Sequence, residues 1–220
     1  MTIKLHGVPA SNFYNIAKVA LQLKGLAFEE IPLHPNEKTP AFLAMSPLGK
    51  IPCIQTDQGA MSESLAIALY AERLQPEPAL FPADAFAAGR ALQIHQLLNL
   101  YGFQHTAKLI KPCFFGAPAE ADFIDATLAE AGKVITATAQ VCAFAPYIAG
   151  EQMTIADLTA LFELDLLHRC AQLAKRGSPL DTFTGWAGWR ETMLKNPIIA
   201  DAVAARDQMW EHLLSQAASA

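Results

Sequence analysis

Two different periods of apolar residues follow one another at the start of the chain. In "TIKLHGV" apolar and polar residues alternate, which predicts a short β-strand closed by Pro9 and the polar pair Ser11 and Asn12. From Asn15 the apolar residues instead recur three and four apart, and this spacing predicts a helix that stops at Gly25. A strand followed directly by a helix is typical of an α/β unit.

The next segments are shorter and are separated by turn residues. "AFEEIPL" predicts a second strand, residues 35–39 a polar loop, and "PAFLAMSP" a short helix between its two prolines. "IPCIQT" and "AM" flank a turn at residues 57–59, so they predict a β-hairpin. A helix then begins around Ser64. The first part of the chain is therefore predicted to be a small α/β domain spanning residues 1–78.

The pattern changes after the proline-rich segment "QPEPALFPADA", which predicts a linker. From residue 86 onwards only long helical periodicity is found, so residues 86–220 are predicted to form an all-helical domain. One helix start is especially clear, because Thr154 and Asp157 have the spacing of a capping box and Met153 and Leu158 that of a hydrophobic staple.

The composition argues against several classes of protein function. The 220 residues are 52% hydrophobic and 17% charged, and no apolar run approaches the roughly 20 residues that a membrane span requires. No secretory signal is found, so a cytoplasmic protein is expected. The net charge of −5, with dispersed Lys and Arg, argues against nucleic acid or an anionic membrane as partner.

Cysteine and histidine residues give no sign of a metal centre. The four cysteines lie far apart and form no CxxC pair, and the six histidines are scattered. We therefore expect reduced, mostly buried thiols and no bound metal. Cys53 follows Pro52, but a cysteine inside an apolar strand is usually inert, so a redox role for it is not favoured.

Two short motifs carry the candidate chemistry. Pro52 stands at the entrance of an apolar strand, where it is either an ordinary trans proline or a cis residue that turns neighbouring backbone groups towards a cleft. The cluster of residues 62–64, Ser-Glu-Ser, stands where a helix begins. It either caps that helix or leaves its amino end free to bind an anion, with Glu63 available for an ammonium group.

These motifs carry a resemblance to a known family. "KTPAFLAMSPLGKIPCI", a Glu-Ser pair, "LAIALYAE" and "GEQMTIADLTA" occur in an order that resembles the cytosolic glutathione transferases, in particular their serine-type branches. The resemblance extends over the full chain. It implies an α/β thioredoxin-like N-terminal domain followed by an all-α helical C-terminal domain, and glutathione as co-substrate.

The resemblance also implies a residue that stabilises the thiolate of glutathione. Ser11 matches the serine that follows the first strand in the serine-type branches and would donate a hydrogen bond to sulfur. Asn12, Tyr14 and Asn15 remain alternative donors, because other branches use a tyrosine, a cysteine or an amide near this point.

The remaining glutathione contacts follow from the same resemblance. Two lysines would lie near the glycyl carboxylate, an Ile-Pro pair with a cis bond would pair its backbone with the cysteinyl part, and a Glu-Ser pair would hold the γ-glutamyl amine and carboxylate. These residues are Lys38, Lys50, Ile51, Pro52, Glu63 and Ser64.

The expected activity is conjugation of glutathione to a small hydrophobic electrophile. The alternatives are a glutathione-dependent disulfide reductase, peroxidase or isomerase, and a non-catalytic regulatory or assembly module of the same fold. The electrophile would bind between the domains, where Tyr101, Phe103, His105 and Phe114 could contribute, although such aromatics more often belong to a core. The family also implies a homodimer.

Overall fold

The computed structural model describes residues 2–34 and 36–218, so Pro35 of the predicted loop and both chain ends of the predicted domains lie outside the described residues. The first part consists of a four-stranded sheet and three helices in the order β1 Ile3–Gly7, α1 Asn12–Leu23, β2 Phe28–Pro32, α2 Pro40–Met45, β3 Cys53–Thr56, β4 Gly59–Ser62 and α3 Ser64–Leu74. Helix α1 begins at Asn12, because the Ser11 side chain accepts a hydrogen bond from the backbone N–H of Tyr14 and caps it.

The sheet has the strand order β2-β1-β3-β4, in which β1 is parallel to β2 and antiparallel to β3. The predicted hairpin is confirmed, with β3 and β4 antiparallel. Apolar residues of β1 and β3 pack with those of α1 and α3 in one buried cluster that includes Leu5, Leu21, Ile54 and Ile67. Alternation along β1 thus serves one face of the sheet, as its sequence predicts.

The second part is helical. It contains α4 Ala85–Gln96, a π-helical segment Leu97–Gly102, α5 Phe103–Phe115, α6 Ala121–Ala139, α7 Ile155–Leu173, a 3₁₀ turn Pro179–Thr182, α8 Trp186–Met193 and α9 Pro197–Ala218. Among the described helices, none combines the length and apolar character that crossing a bilayer needs. The predicted boundaries of the two domains, 1–78 and 86–220, stay predictions.

Helix α7 is the centre of the helical part. The predicted capping box at its start is confirmed: the Thr154 side chain accepts a backbone N–H, and Asp157 accepts the backbone N–H of Thr154. Asp157 also accepts hydrogen bonds from Ile148 N at 2.7 Å and from Trp189 Nε1 at 2.8 Å. One buried carboxylate therefore fixes the helix start, the preceding loop and helix α8.

A buried ion pair holds the linker between the two parts. Lys24 at the end of α1 lies 2.5 Å from the Glu72 carboxylate on α3, and it donates to the backbone carbonyls of Pro76, at 3.0 Å, and Pro78. Glu72 in turn accepts from Leu80 N at 3.0 Å. The apolar stripe of α1, including Ile16 and Val19, packs on the helical part, so the two parts share one core.

Candidate functional site

Three segments that the sequence singled out meet at one end of the sheet. Cys53, the first residue of β3, pairs with the second-last residue of β1 and with the last residue of β4. The loop after β1 carries Ser11, the Ile51-Pro52 corner leads into β3, and Glu63-Ser64 follow β4. The register therefore brings all three segments to the same end of the sheet.

The corner before β3 has a defined shape. The Ile51-Pro52 peptide is cis, so of the two alternatives for Pro52 the cis one is confirmed. Ser46, which the sequence analysis did not single out, closes the preceding turn: its hydroxyl donates to Lys50 O at 2.7 Å and accepts from Lys50 N at 3.0 Å. Ser46 is buried. The signal available in the sequence was a serine directly before the proline of a turn, in "SPLG".

Two lysines flank this corner. The stem of Lys38 lies against Gly49, since a Cβ built at Gly49 would meet Lys38 Cε at 3.2 Å. Gly49 has a φ of 60°, so glycine suits this position for both reasons. Lys38 and Lys50 are exposed and form no ion pair within the described residues. Both cations are therefore available to an anionic ligand at the corner.

The Glu63-Ser64 pair begins α3 in an unusual way. Ser64 is not the cap but the first helical residue, and it is buried; Glu63 is the N-cap and makes no side-chain capping bond within the described chain. Glu63 has a φ of 74°, a conformation that costs a non-glycine residue about 1–3 kcal/mol and is found preferentially at ligand sites. The amide groups of the first turn of α3 are left for a carboxylate.

The structure separates the four candidate thiolate donors. The Tyr14 hydroxyl donates to Glu30, and burial together with this bond raises the pKa of Tyr14. Asn15 Nδ2 donates to the carbonyls of Pro9 and Ser11 at 2.7 and 3.0 Å. Within the described residues Ser11 Oγ accepts one bond and donates none, so its hydroxyl proton is free to donate. Asn12 is buried, and neither polar atom of its side chain has a partner among the described residues.

The loop before Ser11 is held from a distant part of the chain. Trp210 of α9 donates its indole N–H to Ala10 O at 3.1 Å, across 200 positions of sequence. Trp210 itself packs on Phe114, with ring centroids 5.6 Å apart. The sequence showed only a tryptophan in an amphipathic helix, so its role in positioning Ser11 was missed.

The predicted aromatic group on the long helix does not act as one surface. Phe114 is buried in the core and Tyr101 is exposed, whereas Phe103 packs edge-on against Phe13 of α1 with centroids 4.6 Å apart. His105 is half-buried. Phe103, through Phe13, adjoins the Ser11 end of α1, and Phe13 was not identified from the sequence.

Cys53 and His6, which lie near the site, both have pKa values shifted towards their neutral forms. Burial raises the pKa of Cys53 to about 11, which suppresses its thiolate, as expected for a cysteine in an apolar strand. Burial also lowers the pKa of His6, which keeps this histidine neutral. Within the described part of the chain, no group of three or more His, Cys, Asp and Glu side chains is arranged to hold a metal ion.

The fold and the site define a class of protein: a thioredoxin-like domain whose cis-proline corner and helix start face one edge, joined to a mostly helical domain. The sequence and structural comparisons agree with this class. Residues 5–79 match the family model described as glutathione S-transferase, N-terminal domain. A glutathione S-transferase of Pseudomonas putida is 33% identical over 205 residues, which cover 93% of each chain.

Two further similarities were found, one in fold and one in sequence. The crystal structure of glutathione transferase F2 from Populus trichocarpa superposes with a TM-score of 0.80 at 20% identity and covers 94% of this chain and 99% of that one. A probable elongation factor 1-gamma of Arabidopsis thaliana is 26% identical over 172 residues, 76% of this chain but only 41% of that protein. The chain belongs to the glutathione S-transferase family of enzymes.

Proposed function

We propose that this protein binds glutathione at the edge formed by the corner and the start of α3, stabilises its thiolate with Ser11, and conjugates it to a small hydrophobic electrophile. Lys38 and Lys50 would hold the glycyl carboxylate, and the Ile51-Pro52 backbone the cysteinyl part. Glu63 and Ser64 would hold the γ-glutamyl amine and carboxylate.

The chemistry requires the anion of the thiol. At a pKa of about 8.5 only roughly 3% of a free thiol is ionised at pH 7. A Ser11 hydroxyl bond to sulfur and the positive end of the α1 dipole both favour the thiolate, and the thiolate is the nucleophile. Its sulfur then attacks the electrophilic carbon. Either a leaving group departs with the electron pair of its bond, or the π-electron pair of an attacked double bond moves to the neighbouring atom and takes up a proton from water.

The observation that best supports this proposal is the strand register around Cys53. It brings together a free hydroxyl at the start of α1, a cis-proline corner and a helix start without a side-chain cap. In a γ-linked tripeptide the central thiol would meet this hydroxyl and the cysteinyl backbone the corner. The glycyl carboxylate would meet the two lysines beside the corner, and the γ-glutamyl group the helix start.

The deciding experiment is retention on glutathione-agarose followed by an assay with a generic aromatic electrophile. Retention with turnover supports the enzyme. The absence of both retention and turnover would support the second candidate, a non-catalytic module, which the similarity to elongation factor 1-gamma favours. Turnover with a disulfide or a peroxide but not with the electrophile would instead support the reductase or peroxidase alternative.

Ser11 is tested by the variant Ser11→Ala. We expect turnover to fall severalfold or more while glutathione still binds, because the thiolate contact is the only one of the proposed glutathione contacts that is removed. Loss of the cap costs the fold about 0.5–2 kcal/mol. Ser178→Ala is the matched control, since Ser178 also caps a helical turn but lies outside the site. Unchanged turnover in Ser11→Ala would shift the role to Asn12, the other candidate whose donor group has no partner among the described residues.

The proposal includes a cytoplasmic homodimer. It is supported by large apolar side chains that are exposed on both parts of the chain: Leu48 is 71% exposed on the first part, and Phe86 is 74% exposed on the second. Sedimentation equilibrium would test it, and a monomer at all concentrations would contradict it.

A further inference from the structure

Two cysteines of the helical part lie side by side. Cys113, in the last turn of α5, donates its S–H to the backbone carbonyl of Cys170 on α7, with 3.4 Å between sulfur and oxygen. They are 57 positions apart, and α5 and α7 pack along each other here. Their separation in the sequence did not predict this contact.

The two thiols are not equivalent. Cys170 is completely buried, whereas Cys113 is partly exposed. A hydrogen bond from the Cys170 thiol lowers the pKa of Cys113, and the same contact together with burial raises the pKa of Cys170. An accessible thiol that ionises first, beside a buried one that ionises later, is the arrangement of an attacking and a resolving cysteine.

The last turn of α5 is also less constrained than a regular helical turn, which bears on a movement of the Cys113 sulfur. Pro112, directly before Cys113, has no backbone N–H, so the last turn of α5 lacks one intrahelical hydrogen bond. A disulfide requires the sulfur atoms to approach to about 2.05 Å. Any adjustment that this approach requires would therefore fall on the last turn of α5 rather than on the buried helix α7.

We propose that Cys113 and Cys170 form a reversible dithiol–disulfide pair that exchanges with small disulfides such as glutathione disulfide. In the first step the Cys113 thiolate attacks one sulfur of glutathione disulfide, which forms a mixed disulfide and releases one glutathione thiolate. In the second step the Cys170 thiol gives up its proton and attacks the Cys113 sulfur, which closes the internal disulfide and releases the second glutathione.

The balance is complete: two protein thiols are oxidised, one glutathione disulfide is reduced to two glutathione molecules, and an excess of glutathione reverses both steps. The exchange uses neither Ser11 nor the start of α3. It can therefore fail or succeed independently of the proposed conjugation.

The test is incubation of the folded full chain with glutathione disulfide, alkylation of the remaining thiols, and peptide mass mapping. We expect a Cys113–Cys170 cross-link with the loss of two hydrogen atoms, reversed by a dithiol reductant. Cys170→Ser should stop at a glutathione adduct on Cys113, and Cys113→Ser should leave position 170 unmodified. Cys142→Ser is the matched control and should cross-link like wild type, since burial and Asp157 raise the pKa of Cys142 to about 12.

Because Cys170 is buried, Cys170→Ser could fail to fold. In that case wild-type samples quenched at early times should show the glutathione adduct on Cys113 before the cross-link. The proposal is overturned if the folded wild type forms no cross-link in excess glutathione disulfide, or if Cys53 or Cys142 reacts faster than Cys113.

Discussion

Glu163 of α7 provides the sharpest test of the energetics of the helical part. It is 3% exposed, and neither carboxylate oxygen has a hydrogen-bond partner within the described residues. It faces a cavity of about 10 Å³, at the limit for a single water, whose lining includes Leu98, Gly102 and Thr106. Burial raises the pKa of Glu163 well above its ordinary value, so the folded protein holds this group as a neutral acid.

The sign of the pH dependence follows from this. In the unfolded chain Glu163 ionises above about pH 4.3, whereas in the folded chain it stays protonated up to the raised pKa. Between these two pKa values the free energy of unfolding falls by about 1.4 kcal/mol for each unit by which the pH rises. The contribution of the neutral acid to stability is therefore complete at low pH and is lost as the pH rises.

The variant Glu163→Gln keeps the size and polarity of the side chain but cannot ionise. We expect it to match wild type near pH 4 and then to exceed wild type by about 1.4 kcal/mol for each further pH unit within that window. Urea unfolding at a series of pH values and one fixed protein concentration measures the difference. The exposed Glu191→Gln is the control and should follow wild type throughout. Parallel curves for Glu163→Gln and wild type would refute the assignment of a neutral, unpaired acid.

Three further variants test other parts of the structure. Ser64→Ala should weaken glutathione binding roughly 5- to 150-fold, from about 1–3 kcal/mol for an unpaired ligand group, and an unchanged calorimetric affinity would remove Ser64 from the site. Asp157→Ala should lower the free energy of unfolding by about 3 kcal/mol or more, because two backbone N–H groups and the Trp189 indole lose their acceptor; a loss below about 1 kcal/mol in urea would contradict this. Lys24→Met should cost about 3–5 kcal/mol by leaving Glu72 buried without a cation, and adding Glu72→Gln should restore part of it in the same assay.

Local signals in the sequence predicted most of the elements correctly. The alternation in "TIKLHGV", the turn between β3 and β4, and the Thr154-Asp157 spacing are each encoded within a few residues, and all three are present in the structure. The resemblance to the family added the cis bond at Pro52, which periodicity alone left open. The elements that could be predicted are those determined by residues close together in the sequence.

The parts that were missed depend on residues far apart in sequence. The pairing of Cys113 with Cys170 and the bond from Trp210 to Ala10 arise only once the helices pack. The π-helical segment at Leu97–Gly102 lies in a region whose periodicity predicts helix, and the apolar positions there do not distinguish an α-helix from a π-helix. At the start of α3, the sequence could not show that Glu63 rather than Ser64 occupies the capping position.

The hydrogen bond from the Trp210 indole to the Ala10 carbonyl can form only after the last helix has been translated, although it holds the loop next to Ser11. Nearly all of the described chain must be translated before this bond exists. The sheet and its first helix can therefore form while the peptide next to Ser11 still lacks the hydrogen bond from Trp210. Any truncation or fusion that disturbs the last helix at Trp210 would then act on the opposite end of the chain.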